Sequence, residues 1–222
     1  MPRTPSGHDV PTTGGSLSSA RKVVVLASGG GSNLAALLAA HDKEWFGGRI
    51  VAVITDNPAA GAINIAHDAG IACAVVDPRD SESRAEWDRA LAETVAVFGP
   101  DLVVSAGFMR ILGPHFLKAF GGSTINTHPA LLPAFPGAHG VRDAMAHGVK
   151  VTGCTVHFVD EGVDTGPIIA QAAVAIQDDD TQETLHERIK VEERRLLVEW
   201  VSKLLRRGYT VEGRTVRLGE AG

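Results

Sequence analysis

Asn126-Thr127-His128-Pro129 stands at the end of a short segment, residues 123–127, that reads as a strand. If the strand pleat continues, Asn126 and His128 point to the same side. An amide donor and an imidazole converging on one point are what a tetrahedral oxyanion requires. A carboxylate that orients the imidazole would complete the set. Asp164, within Glu161-Gly162-Val163-Asp164-Thr165-Gly166, is a candidate for that role, and it reads equally well as a simple turn aspartate. A lone histidine is more often structural than catalytic. Among the others, His8 lies near the terminus, and His41, His67, His115, His147 and His186 read as helix or surface positions. His139 and His157 stay open. Far upstream, Ser28-Gly29-Gly30-Gly31-Ser32-Asn33 lies where an apolar run gives way to helical spacing. Backbone N–H groups at such a junction form an anion site, and glycines let the anion approach closely. No Gly-Lys-Ser/Thr exists in the chain, and Leu34 occupies the third glycine position of a dinucleotide fingerprint. Two readings remain: a phosphate monoester, toward which Ser32 and Asn33 point, or a tight turn with no ligand.

These residues need a scaffold, and the hydrophobic periodicity supplies one. Apolar runs at 23–27, 50–54, 72–76 and 102–105 read as buried strands. Between them lie Leu34, Leu37 and Leu38 at helical spacing, a helix over 59–69 closed by Gly70, and a stripe of Trp87, Leu91, Val95 and Phe98. Ser83 with Glu86 predicts a capping box for that last helix, and Gly99-Pro100 stops it. Apolar strands alternating with helices imply an α/β fold with a doubly wound, mostly parallel sheet covered on both faces. In the C-terminal half, residues 151–159 and 168–176 flank the turn 160–166 and predict a hairpin or antiparallel extension of the sheet. A long helix follows over 180–207, with Asp180 and Glu183 as its expected capping box and Leu185, Ile189, Leu196, Trp200 and Leu204 as its buried stripe. Arg206 and Arg207 suit the negative end of its dipole, and Gly208 suits the position after it. We read no internal repeat. The expected organisation is a disordered leader over 1–20, one domain over 21–208 and a short tail over 209–222.

Composition narrows the function classes. With 222 residues, 44% hydrophobic and 21% charged, the chain has the make-up of a folded domain. A net charge of -5 argues against a protein that works by coating nucleic acid. Glycine is in excess, 25 residues or about 11% against a usual ~7%, and much of it falls in the loops just described. Cys73 and Cys154 form neither a disulfide framework nor a zinc pattern, so both are expected to be buried small hydrophobes in a reducing compartment. No stretch approaches the ~18 apolar residues of a membrane span, and the N-terminus lacks the apolar centre of a secretory signal. A cytoplasmic protein that meets neither membrane nor nucleic acid is the expectation.

Six ordered segments then carry a resemblance. They are residues 28–34, Gly107-Phe108-Met109-Arg110-Ile111-Leu112, residues 126–133, Phe135-Pro136-Gly137, residues 152–159, and Asp164-Thr165-Gly166-Pro167-Ile168-Ile169. From Arg21 to about Arg207 the chain resembles the phosphoribosylglycinamide formyltransferase family, folate-dependent enzymes of purine synthesis with a Rossmann-like formyltransferase fold. Ala130 stands where serine is common there, and Gly30 where asparagine is common; neither is a proposed catalytic side chain. The resemblance implies a catalytic set of Asn126, His128 and Asp164. It implies a phosphate and ribose site at Gly31, Ser32, Asn33, Lys190 and Glu193, and a folate pocket lined by Met109, Arg110, Ile111, Leu112 and the loop 160–164, with Asp160 and Asp164. Arg84 would sit near the folate tail, where a cation suits carboxylates, or be a solvated helix arginine. Lys190 and Glu193, spaced i,i+3, would meet phosphate and ribose, or pair locally on the helix surface. The implied partners are 10-formyltetrahydrofolate as co-substrate and glycinamide ribonucleotide as acceptor, with no metal, on a monomer or homodimer. Relatives sharing the same three catalytic residues use other acceptors. Methionyl-tRNA formyltransferase adds a C-terminal RNA-binding domain, and formyltetrahydrofolate hydrolase an N-terminal regulatory one. The few residues outside 21–208 and the acidic balance favour the small acceptor over both. A non-catalytic nucleotide sensor is the remaining alternative.

Overall fold

Val23, Val24, Val25 and Leu26 are all completely buried, so both faces of the first strand find apolar cover. The computed structural model describes residues 20–220, and the expected leader lies outside the described residues but for its last position. Strand and helix alternate: β1 (Arg21–Leu26), α1 (Ser32–Leu38), β2 (Gly48–Thr55), α2 (Gly61–Asp68), β3 (Ala72–Val75), α3 (Arg84–Ala96), β4 (Leu102–Ser105), α4 (Pro114–Phe120) and β5 (Thr124–His128). Then come α5 (Gly140–His147), β6 (Val151–Phe158), β7 (Ile168–Ala175), α6 (Gln182–Arg207), β8 (Tyr209–Glu212) and β9 (Thr215–Leu218).

The main sheet has the order β3-β2-β1-β4-β5-β6-β7. Neighbours from β3 through β5 pair in parallel, whereas β6 runs antiparallel to β5 and β7 antiparallel to β6. Successive residues of β1 serve opposite cores. Val23 and Val25 pack with Leu34 and Leu37 of α1 and with Leu185, Ile189, Leu197 and Val201 of α6. Val24 and Leu26 pack with Trp87, Leu91 and Val95 of α3 and Phe116 of α4. Trp87 also donates its indole N–H to the Val76 carbonyl at 2.8 Å, so truncating it to alanine would cost about 3–5 kcal/mol. The strand order reverses between β1 and β4, and in an open α/β sheet the crevice beyond those strand ends takes ligands.

Several local expectations need correction. The cap of α6 is Thr181, whose hydroxyl accepts from Thr184 N–H while Thr184 Oγ1 accepts from Thr181 N–H. Asp180 is drawn instead to Arg188, two turns along, which forks onto its carboxylate at 2.5 and 2.6 Å and holds its pKa far below the usual range. Ser83 does cap α3, but Glu86 reaches back to Glu82 N–H. Cys154 is buried, with its thiol pushed up to about 12 by that burial, whereas Cys73 on the edge strand β3 is exposed. His41 is no surface residue: it is buried and accepts from Ile50 N–H. Residues expected to be tail form the β8–β9 hairpin, with Tyr209 packed on Phe158 and its hydroxyl donating to the Gly122 carbonyl at 2.9 Å.

Candidate active site

A cleft of about 870 Å³ opens beyond the ends of β1 and β4. On one side is the turn after β1. Gly31, at φ 79°, caps α1 without any side-chain hydrogen bond to the first turn. That backbone angle favours glycine, and a Cβ there would crowd Ala62 Cα at 3.2 Å as well. Asn33, on that first turn, is buried, and its amide donates to Glu193 Oε1 at 3.3 Å; its own Oδ1 has no partner among the described residues. Glu193 lies on the buried stripe of α6, a carboxylate 7% exposed among Ile189, Leu196 and Leu197. Lys190 lines the cleft too, but its ammonium pairs with Glu187 at 2.7 Å rather than with Glu193.

The floor of the cleft comes from β5, β6 and the loop after β6. Asn126 on β5 faces His157 on β6 in the strand register, and its Nδ2 lies 3.3 Å from His157 Nε2. His157 Nδ1 lies 2.8 Å from the Phe158 carbonyl, which leaves Nε2 facing the cleft beside Asn126. His128 is 4% exposed; its Nε2 donates to the Phe135 carbonyl at 2.7 Å, and its Nδ1 lies 3.3 Å from Asp164 Oδ2. Both ring nitrogens therefore face protein oxygen atoms.

Asp164 stands between the two histidines, with His157 Nε2 at 3.6 Å from Oδ1 and the Gly137 N–H donating to Oδ2 at 2.8 Å. It holds a left-handed φ of 55°, which aspartate tolerates better than most residues. Gly166 lets its loop fold back, because a Cβ there would fall 1.7 Å from the Phe158 carbonyl oxygen. Burial by itself pushes the Asp164 carboxyl up. The contact with His157, the Gly137 N–H and the charge of His128 outweigh it, and the net pKa lies below the ordinary carboxylate value.

The third wall is residues 107–112. Met109 is 78% exposed and Ile111 62% exposed, while Leu112 is buried. Arg110 lines the cleft, with its Nε on Asp56 at 2.7 Å. Asp160 closes the opposite lip, bonding Thr165 Oγ1 and Gly162 N–H within its own loop. Arg84 is not a wall residue: it reaches the Ile111 carbonyl and lies over the Trp87 ring at 4.6 Å.

Of the site residues that the resemblance implies, all but Arg84 line this cleft. His157, open in the sequence, and His186, which does lie on a helix as expected, line it as well. The signal for His157 was its place in the strand opposite Asn126, which only register reveals. For Glu193 a signal was visible, since a carboxylate at a stripe position of an amphipathic helix must be paired or functional. Among the described residues no group of three His, Cys, Asp or Glu side chains is placed to hold a metal ion, and no helix is long and apolar enough to cross a membrane.

Comparison with known proteins agrees with this geometry. The formyl transferase family model matches residues 21–201. A phosphoribosylglycinamide formyltransferase of Mycobacterium tuberculosis is 58% identical over 174 residues, 78% of this chain and 80% of that one. One from Bacillus subtilis is 45% identical over 137 residues, 62% of this chain and 70% of its own. The crystal structure of glycinamide ribonucleotide transformylase 1 from Symbiobacterium toebii superposes with a TM-score of 0.87 at 44% identity, covering 90% of this chain and 94% of that one. The polar floor, the glycine turn and the match across 21–201 together establish that this chain belongs to the formyl transferase family.

Proposed function

We propose that the protein transfers a formyl group from 10-formyltetrahydrofolate to the primary amine of glycinamide ribonucleotide, a step of purine biosynthesis. The observation that carries this reading is one cleft uniting an Asn–His–Asp floor with a glycine turn and a buried glutamate. The names of the relatives above support the same acceptor.

In this reading the turn at Gly31, Ser32 and Asn33 takes the phosphate, with Lys190 beside it, and Glu193 takes ribose hydroxyls. Residues 109–112 and the loop around Asp160 enclose the folate, with Arg84 and Arg110 near its carboxylate end. The neutral amine attacks the formyl carbon, and the carbonyl electron pair moves to oxygen. An N–H of Asn126 receives that oxyanion, a contribution on the order of 3 kcal/mol in comparable sites. His128, held between Phe135 and Asp164, stabilises the same charge. Asp164 favours the cationic ring and accepts the amine proton through water. Collapse of the intermediate breaks the bond to the folate nitrogen, which leaves with the proton that Asp164 hands back through water. We place the protein in the cytoplasm as a monomer or homodimer acting on small molecules, without nucleic acid, membrane or metal.

A spectrophotometric assay with a 10-formyl folate analogue, comparing glycinamide ribonucleotide, initiator tRNA and water as acceptors, tests the reading. Release of deformylated folate is expected with the ribonucleotide alone. Release with water alone would make the protein a hydrolase, and none at all would favour a sensor.

A further inference from the structure

The folate-side wall has no regular secondary structure of its own, yet it is anchored along its length. Ser28 N–H donates to the Gly107 carbonyl at 3.1 Å, and Met109 N–H donates to Ser28 Oγ at 2.8 Å. The Ile111 carbonyl meets Arg84, and Gly113 N–H donates to Asp88 at 2.7 Å. Between these backbone anchors lies a side-chain one: Arg110 Nε on Asp56 Oδ2 at 2.7 Å. The partners differ sharply in exposure, 47% for the Arg110 side chain and 4% for that of Asp56.

A carboxylate so deeply buried is unfavourable without a cation, and Arg110 is its ion-pair partner. Its other oxygen, Oδ1, has no hydrogen-bond partner among the described residues. Nor is its backbone free to adjust. Asn57 N–H donates to Thr55 Oγ1 at 3.1 Å, Ala59 N–H to Asn57 Oδ1 at 3.0 Å, and Asn57 Nδ2 to the Ser28 carbonyl at 3.3 Å. Asp56 is thus a rigid, charged post at the end of β2. It takes the guanidinium by Nε alone. The two terminal nitrogens of Arg110 have no hydrogen-bond partner among the described residues, and the residue lines the cleft. A guanidinium held by Nε presents its remaining N–H groups as a pre-set fork for a carboxylate.

We propose that Asp56 is a positioning residue for co-substrate recognition: it fixes Arg110 so that its terminal nitrogens meet the carboxylate end of the folate. The inference rests on the formyl-transfer reading and adds to it a residue outside the folate wall that sets affinity for one part of that substrate. Removing Asp56 leaves Arg110 charged but unheld, so binding of the tail weakens while the reacting end is untouched.

The test measures binding by fluorescence titration, and kcat and KM by assay, for two 10-formyl folate analogues. One carries the terminal glutamate; in the other an uncharged methylamide replaces it, so that its tail has no carboxylate. The proteins are the full chain, Asp56→Asn, Asp56→Ala, Arg110→Ala and the double variant Asp56→Ala/Arg110→Ala. Asp56→Ala is expected to weaken the glutamyl analogue about tenfold, the scale of one hydrogen bond to a charged group, with kcat within about threefold. The shortened analogue should bind equally well to both. In the Arg110→Ala background, loss of Asp56 should add nothing. Asp56→Asn, nearly isosteric, carries the same comparison if the alanine variant folds poorly. Equal weakening of both analogues, no weakening of either, or additive losses in the double variant would overturn the inference. A full chain that binds both analogues but transfers no formyl group would overturn the function reading instead, and the binding comparison would still decide the role of Asp56.

Discussion

The floor of the cleft and its wall at residues 107–112 are built on opposite principles. On the floor, His128 and His157 are 4% and 2% exposed, and the ring nitrogens of both meet protein partners. On the wall, Met109 and Ile111 expose large apolar side chains, and backbone contacts to Ser28, Asp88 and Arg84 hold the segment. Groups that meet developing charge must be oriented before the substrate arrives, because reorienting dipoles during the reaction raises its barrier. A surface that recognises an apolar ring needs only shape, and the ligand supplies the missing cover. The floor is therefore organised by the protein alone, whereas the wall leaves apolar surface for the proposed folate to cover.

The sharpest way to break that contrast is at the floor. Asp164→Asn and His128→Ala should each lower kcat by about a thousandfold or more while the circular dichroism spectrum stays native. Near-normal turnover in both would remove the catalytic assignment. Next is the acceptor side: Glu193→Gln should raise KM for the ribonucleotide about tenfold with a smaller change in kcat, since it weakens binding remote from the reacting carbon. If KM for the folate rises instead, Glu193 belongs to the other substrate. At the wall, Ile111→Ala should raise the folate KM only a fewfold and leave the melting temperature within about 1 °C, because a side chain already exposed loses little on truncation.

The smallest effect is on stability in acid. The Asp164 carboxyl is held below its ordinary value, so its ionised form stabilises the fold above the unfolded pKa of ~3.9, and that stability is lost as pH falls through the folded value. As pH falls below ~4 toward the folded value, the urea midpoint of the native chain should therefore drop further than that of Asp164→Asn. Parallel curves would show that the carboxylate is not preferentially stabilised on folding.

Legibility in the sequence follows the range of the interactions. The parallel half of the sheet could be read because its strands are buried on both faces and appear as unbroken apolar runs, Val23 to Leu26 being the clearest. The β8–β9 hairpin could not, since its four-residue strands are mostly exposed and hold their place through contacts such as Tyr209 on Phe158 and Arg207 on the Gly219 carbonyl. The cap of α6 was misplaced by one residue because Asp180 and Thr181 have equal local claims, and Arg188 decides between them. Asp56 reads as an ordinary turn residue until its burial and its partner Arg110 are seen.

The sequence alone determined the chemical inventory and its local settings: a strand ending in Asn-Thr-His, a glycine turn entering a helix, and an aspartate in a glycine-bounded loop. Periodicity and turn chemistry act over a few residues, so they survive in the linear text. Tertiary structure alone decided which groups touch. The register of β5 on β6 sets Asn126 against His157, the return of the loop at Gly166 carries Asp164 between two imidazoles, and the burial of α6 brings Glu193 to Asn33. Those contacts join segments distant along the chain, and their geometry is fixed only when both cores close around the sheet.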